Sequence, residues 1–297
     1  MTPAFGRGLQ LLLAILALST SVIFIKASTA HPVLIAFLRL TLATLLLTPW
    51  ERRDQRRYAL ALAAPDAPKV HAWIPGVVLA FHFISWNYGA RLTDSAQASL
   101  IVNLVPVAVP FFLWFLAQES INRREIVGTL VTLAGVVLLT INDVIVATGS
   151  ARGNWVCFVS MLLFACYLAL ARRNRRLPSL WLYVVPVYRT AALTCGLVSL
   201  PLLHTGMDWD SPREWSYIFA LAIIPTIVGH SLLNGAMRYF RGQVVSLTNS
   251  GQFVAAGALA WLIFGEVPTP IFYLASLIVV TGIVIVIWVP RRPRAPV

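Results

Sequence analysis

The stretch Phe81-His82-Phe83-Ile84-Ser85-Trp86-Asn87-Tyr88-Gly89 sets an imidazole, a hydroxyl, an indole and a carboxamide inside an apolar run. At helical spacing His82, Ser85, Trp86 and Gly89 share one face. An aromatic solute on that face gains stacking from Trp86 and a hydrogen bond from His82 or Ser85. Polar groups at membrane depth are costly unless they meet a partner, so the face either lines a wet cavity or bonds neighbouring helices. A second such stretch is His230-Ser231-Leu232-Leu233-Asn234-Gly235, with His230 and Asn234 four apart.

Ser95, Ser99 and Asn103 rise along one face with Pro106, and Pro106 and Pro110 both interrupt backbone bonding. The resulting kink either frees carbonyls to line a pore or shapes packing. Ser246, Asn249, Ser250 and Gln252 form a comparable polar opening, with Gly251 and Gly257 allowing close approach. With Tyr167 added, the expected substrate-binding set is His82, Ser85, Trp86, Asn87, Ser99, Asn103, Tyr167, His230, Asn234, Ser246 and Ser250.

Arg39 and Arg189 also lie inside apolar runs. An intramembrane cation marks either a structural pair with backbone carbonyls or loop carboxylates, or an anchor for a substrate carboxylate. Lys26 either snorkels or guards a mouth. Glu119 and Glu266 each precede a helix and read as topology and capping residues. Every Asp and Glu maps to a connection or a span end, which leaves no buried carboxylate for proton exchange and points to facilitated export or His-linked coupling. The chain has no G-x-x-x-x-G-K-[ST], HExxH or GxSxG, and so no expected nucleotide, metal, cofactor or catalytic centre. Cys157, Cys166 and Cys195 lack CxxC spacing and read as packing residues.

The elements that must hold these residues are membrane spans. The chain is 59% hydrophobic and 11% charged, whereas soluble domains are about a quarter charged. Runs of roughly 20 apolar residues occur near 8–27, 31–50, 73–91, 94–116, 124–142, 153–172, 181–203, 215–239, 243–264 and 270–289. The expected fold is an all-α membrane protein of about ten transmembrane helices. The net charge of +12 does not mark a nucleic-acid binder, because Lys and Arg cluster between apolar runs. Arg52, Arg53, Arg56, Arg57 and Lys69 crowd the second connection, Arg123 and Arg124 the fourth, Arg172, Arg173, Arg175 and Arg176 the sixth, and Arg238 and Arg241 the eighth. The odd connections hold Asp208, Asp210 and Glu214. The positive-inside rule therefore puts the even connections and both termini in the cytoplasm, with the basic loops against lipid headgroups.

A shift of 147 residues aligns Asn87 with Asn234, Arg91 with Arg238, Ser99 with Ser246, Trp114 with Trp261, Glu119 with Glu266 and Gly135 with Gly282. A shift of 150 aligns Arg39 with Arg189 and Thr44 with Thr194. Residues 1–146 and 147–297 are thus two five-helix repeats. Because five is odd, the second enters the membrane inverted, as in alternating-access transporters.

The Phe37-Leu38-Arg39-Leu40 segment, Ala96 through Pro106-Val107 to Glu119, and Gly128 and Gly135 resemble the drug/metabolite transporter superfamily, in its EamA-type members with two five-helix repeats. In the second copy, Ser246, Glu266 and Gly282 repeat the pattern, while Phe253 stands where the proline would be. The chain most resembles the aromatic amino acid exporters. The resemblance implies a multi-pass protein of the bacterial cytoplasmic membrane, a monomer or weak homodimer, with a pore lined by spans 1, 3, 4, 6, 8 and 9. The expected function is secondary transport of amino acids, aromatic or otherwise hydrophobic, or related small metabolites. A lipid flippase, a scaffold and a membrane-embedded enzyme are the alternatives.

Overall fold

The computed structural model describes residues 3–68, 71–93, 98, 101–146, 151–255, 258 and 270–287, with no strand among them. The first apolar run breaks into α1 (Pro3–Ser19) and α2 (Ser21–Ala27). At the break the Ser19 and Thr20 hydroxyls donate back to the carbonyls of Leu16 and Ala17, a local bond that competes with helix continuation. α3 (Pro32–Arg57) begins on a proline and runs seven residues past the expected end at Trp50. The charged segment after Trp50 continues it because Glu, Arg and Gln are strong helix formers. Then follow α4 (Ala59–Ala63), α5 (Trp73–Leu92), α6 (Val105–Phe112) with a π-helical extension Leu113–Ala117, and α7 (Arg123–Val146).

The second half comprises α8 (Ala151–Arg173), α9 (Trp181–Ser199), α10 (Pro212–Leu221), a π-helical segment Ala222–His230, α11 (Ser231–Tyr239), α12 (Gly242–Asn249) and α13 (Pro270–Ile287). Among the described residues six runs, Gly6–Ala27, Pro32–Arg57, Ala151–Arg173, Trp181–Leu202, Pro212–Tyr239 and Pro270–Ile287, are long and apolar enough to cross a membrane. Leu12, Phe111, Leu130 and Leu277 are exposed on the outside of the bundle, as expected where lipid is the solvent. The chain is a multi-pass membrane protein.

Side-chain bonds sort the connections into two ends. At one end, basic, Glu119 meets Arg172 and Arg175, Glu125 meets Arg241, Ser179 donates to Asp54, and Arg238 donates to the Leu177 carbonyl. At the opposite end Ser28 donates to Glu214, Arg91 to the Ser28 carbonyl, Thr93 to Asn154, and the His31 N–H to the Gly206 carbonyl. Arg91 and Arg238, aligned by the 147-residue shift, thus make the same kind of bond at opposite ends.

Helices pair across the repeat boundary. α5 packs on α8, and α1 on the π segment Ala222–His230; α3 packs on α9, α6 on α12, and α7 on α13. In the numbering of the ten runs expected from the sequence, these are 3 with 6, 1 with 8, 2 with 7, 4 with 9 and 5 with 10, the set a twofold exchange of the copies maps onto itself. α7 and α13 approach most closely at glycines. A Cβ on Gly128 would stand 2.8 Å from the Gly282 carbonyl, and one on Gly135 would stand 2.9 Å from the Ala275 carbonyl. Shifting by 147 carries the first pair onto the second.

Candidate functional site

Two prolines set the geometry of the pore-side elements. Pro225 has no N–H for the Leu221 carbonyl four residues earlier, and the Thr226 hydroxyl donates to it instead at 2.7 Å. The helix widens to π form through His230, a form often found at functional sites. Pro110 likewise orphans the Pro106 carbonyl, which accepts from Gln243 Nε2 at 2.9 Å. The Val107 N–H bonds Leu104, and the Asn103 carbonyl accepts from the Ser250 hydroxyl at 3.2 Å. Asn103 and Ser250 are 147 apart, so this bond joins equivalent points of the two copies. The freed carbonyls that the sequence offered as pore lining are thus closed by side chains of the ninth span.

A cavity opens between the copies, lined by α1–α2 (Leu18, Ser19, Ser21, Val22), α5 (His82, Phe83, Trp86), Val102 and Asn103, Phe164 of α8, His230, and Gln252 with Phe253. It measures about 60 Å³. Gly229 lets α1 approach beside His230, since a Cβ there would meet Leu18 at 2.9 Å. The His82 ring stacks on Phe164 with centroids 4.7 Å apart, and His230 lies 6.3 Å from His82 and 4.9 Å from Phe83. His82 Nδ1 is 3.0 Å from the Ser160 carbonyl oxygen, while the Ser160 hydroxyl donates to the His82 carbonyl. The Ser160 hydroxyl also lies 3.0 Å from His82 Nδ1, so backbone and side chain of Ser160 together fix the ring's orientation.

Of the expected site residues, His82, Trp86, Asn103 and His230 line this cavity. Ser85 bonds back to the Phe81 and His82 carbonyls. Asn87 is buried and donates to the Pro32 carbonyl at 2.8 Å, tying the third span to the second. Asn234 donates to both the Tyr167 hydroxyl and the His230 carbonyl at 2.6 Å. That pair buttresses His230 from behind. Ser246 is buried in α12, and Ser250 holds Asn103. Ser99 lies outside the described residues, as do Ser95, Gly257 and Glu266. Leu18, Ser19, Ser21, Val22, Phe83, Val102, Phe164, Gln252 and Phe253 complete the lining. The polar Ser19-Thr20-Ser21 triplet inside an apolar run is the signal that marks the first of these; Phe164 carries none.

The intramembrane arginines differ. Arg189 pairs with buried Glu51, the carboxylate partner expected. Arg39 is 0% exposed, stacks over Phe83 at 4.2 Å, and donates through Nε to Thr226 Oγ1 at 2.8 Å. No carboxylate among the described residues pairs with it, and its two terminal nitrogens have no hydrogen-bond partner. An arginine at mid-membrane costs about 2.5–3.5 kcal/mol on insertion scales even when relaxed. Glu119 does cap a helix, though not the one after it: its Oε1 accepts the Gly242 N–H at 2.8 Å at the start of α12. Lys26 is exposed at the end of α2.

Toward the basic end the cavity floor is closed. Along α8, Phe164 is followed by buried Tyr167 and Leu168 and then Arg172; along α11, His230 is followed by Leu233 and Met237. Arg172 donates to Glu119 at 2.6 Å and to the Met237 carbonyl at 2.7 Å.

The EamA-like transporter family profile matches residues 8–141 and again 151–288, once for each copy. The chain belongs to the EamA-like transporter family. An uncharacterised transporter of Archaeoglobus fulgidus is 23% identical over 95% of this chain and 96% of its own. The pseudopaline exporter CntI of Pseudomonas aeruginosa is 26% identical over 84% of this chain and 83% of its own. One solved crystal structure superposes with a TM-score of 0.74 at 21% identity, covering 95% of this chain and 96% of that one, and so shares the fold. This EamA-family chain is a transporter of a small molecule and not an enzyme.

Proposed function

We propose that this transporter exports amino acids, aromatic or otherwise hydrophobic, or related small metabolites across the bacterial cytoplasmic membrane. It does so by alternating access, rocking residues 1–146 against 147–297 about the cavity between them. The observation that carries this reading is one histidine from each copy, His82 and His230, facing the same cavity with Trp86 and Phe164 in its wall. Aromatic walls suit a flat apolar solute, while the His82 imidazole and Asn103 suit its polar end. With both termini cytoplasmic, the Glu119–Arg172 and Glu125–Arg241 pairs close the inner side. The relative named as a pseudopaline exporter supports outward movement of a metabolite.

Proteoliposomes containing only this protein should show saturable flux of labelled Trp or Phe above protein-free vesicles. His82→Ala or Trp86→Ala should cut that flux about tenfold, a loss of roughly 1.4 kcal/mol, at unchanged membrane yield. Movement of polyamines, nucleosides or lipids with no Trp or Phe flux would refute the amino acid assignment.

A further inference from the structure

Arg39 is a fully buried cation whose charge nothing nearby balances. Of its donors, Nε serves the Thr226 hydroxyl, while Nη1 and Nη2 have no partner. Around it stand the Phe83 ring, the Thr226 hydroxyl and the Tyr188 hydroxyl, which itself donates to the Thr226 carbonyl at 3.1 Å. All of these are neutral. Arg189, its counterpart in the other copy, has Glu51. A buried charge is tolerated when it is paired, and a guanidinium with two adjacent free N–H groups matches the two oxygens of a carboxylate.

Phe83 separates Arg39 from the cavity: its ring carries the guanidinium at 4.2 Å and also forms part of the cavity wall. An anion in the cavity therefore has one ring to displace to reach Arg39. The π segment Ala222–His230, which supplies Thr226 and ends in His230, places the arginine's anchor on the element that lines the same cavity. Resting on the proposed transport of an amino-acid-like solute, we infer that Arg39 is the specificity-determining receptor for the solute's carboxylate, reached when Phe83 swings aside. The cargo class is then the carboxylate-bearing one, and the corresponding amines and amides are excluded.

Thermal stabilisation of the detergent-purified chain, titrated with tryptophan, indole-3-propionate, tryptophan amide and tryptamine, tests this without requiring transport. The two acids should stabilise the protein at least tenfold more tightly than the amide and the amine. Arg39→Lys should weaken the acids about tenfold, since a single ammonium loses the two-point contact, and Arg39→Met should erase the preference for acids. Equal titration by tryptophan and tryptamine, an acid preference retained in Arg39→Met, or no stabilisation by either acid would each overturn the assignment. If Arg39→Met fails to accumulate, the wild-type ligand series still decides. Acid stabilisation without any amino acid flux would leave Arg39 standing and defeat the proposed function instead.

Discussion

His31 illustrates how one side chain ties an end of the bundle together. Its Nδ1 accepts the Val33 N–H at 3.4 Å at the start of α3, and its Nε2 lies 3.1 Å from the Tyr88 hydroxyl. A lone pair on Nδ1 requires the neutral ring, and burial, reinforced by Arg91, lowers its pKa from the usual 6.5. The folded state thus binds this proton more weakly than the unfolded one, so the contribution is full above about pH 6.5 and declines as pH falls below it. Melting temperature in detergent should drop between pH 7 and pH 5, and His31→Asn, which keeps a cap acceptor but no titration, should flatten the drop. An unchanged pH profile in that variant would dismiss His31 as a contributor. At this scale the sequence was legible where chemistry stands out against apolar surroundings: His82, Trp86, Asn103 and His230 reach the cavity. Asn87, Asn234 and Ser250 stand out equally but bond neighbouring helices, because a buried polar group demands a partner wherever it lies. Phe83 and Phe164 were illegible, since an apolar ring looks alike whether it faces lipid, core or cavity.

At the scale of elements, hydropathy placed the helices, and glycine and proline decided how they meet. The α7–α13 crossing depends on hydrogen at Gly128, where a Cβ would overlap Val286 Cγ2 and stand 2.8 Å from the Gly282 carbonyl. Small residues of this kind allow membrane helices to pack closely. Gly128→Val should therefore destabilise the fold by about 1–3 kcal/mol through overpacking, read as a lower melting temperature. Gly8→Val, where nothing lies within 4 Å, is the control that should leave it unchanged. Equal melting of both variants and wild type would rule out a tight crossing. The proline breaks at Pro110 and Pro225 were visible in the sequence, whereas Gln243 and Thr226 as the groups that satisfy or replace the lost bonds were not. Those partners depend on tertiary placement and on a hydroxyl one residue beyond the break.

For the whole molecule, the helix pairings and the α7–α13 contacts exchange under one 147-residue shift, so the two copies share a pseudo-twofold relation. Charge follows the same division. Glu119 and Glu125 of the first copy meet Arg172, Arg175 and Arg241 of the second at the basic end. The Glu125 carboxylate raises the Arg241 pKa above its already high ordinary value, which keeps the guanidinium charged. These contacts and the packed Tyr167, Leu168, Leu233 and Met237 lie on one side of the cavity, while Ser21, Val22 and Trp86 lie toward the other. Substrate protection of a cysteine in the cavity wall tests most directly whether solute occupies this space. Val22→Cys, half-buried in the lining, should react with a membrane-impermeant thiol reagent applied from the outside faster than the parent protein with its native cysteines. Saturating tryptophan should slow that excess reaction at least about tenfold, the effect of roughly 90% occupancy of the cavity. Labelling that tryptophan leaves unchanged, in a protein that still moves tryptophan, would place the transport path elsewhere and contradict the account.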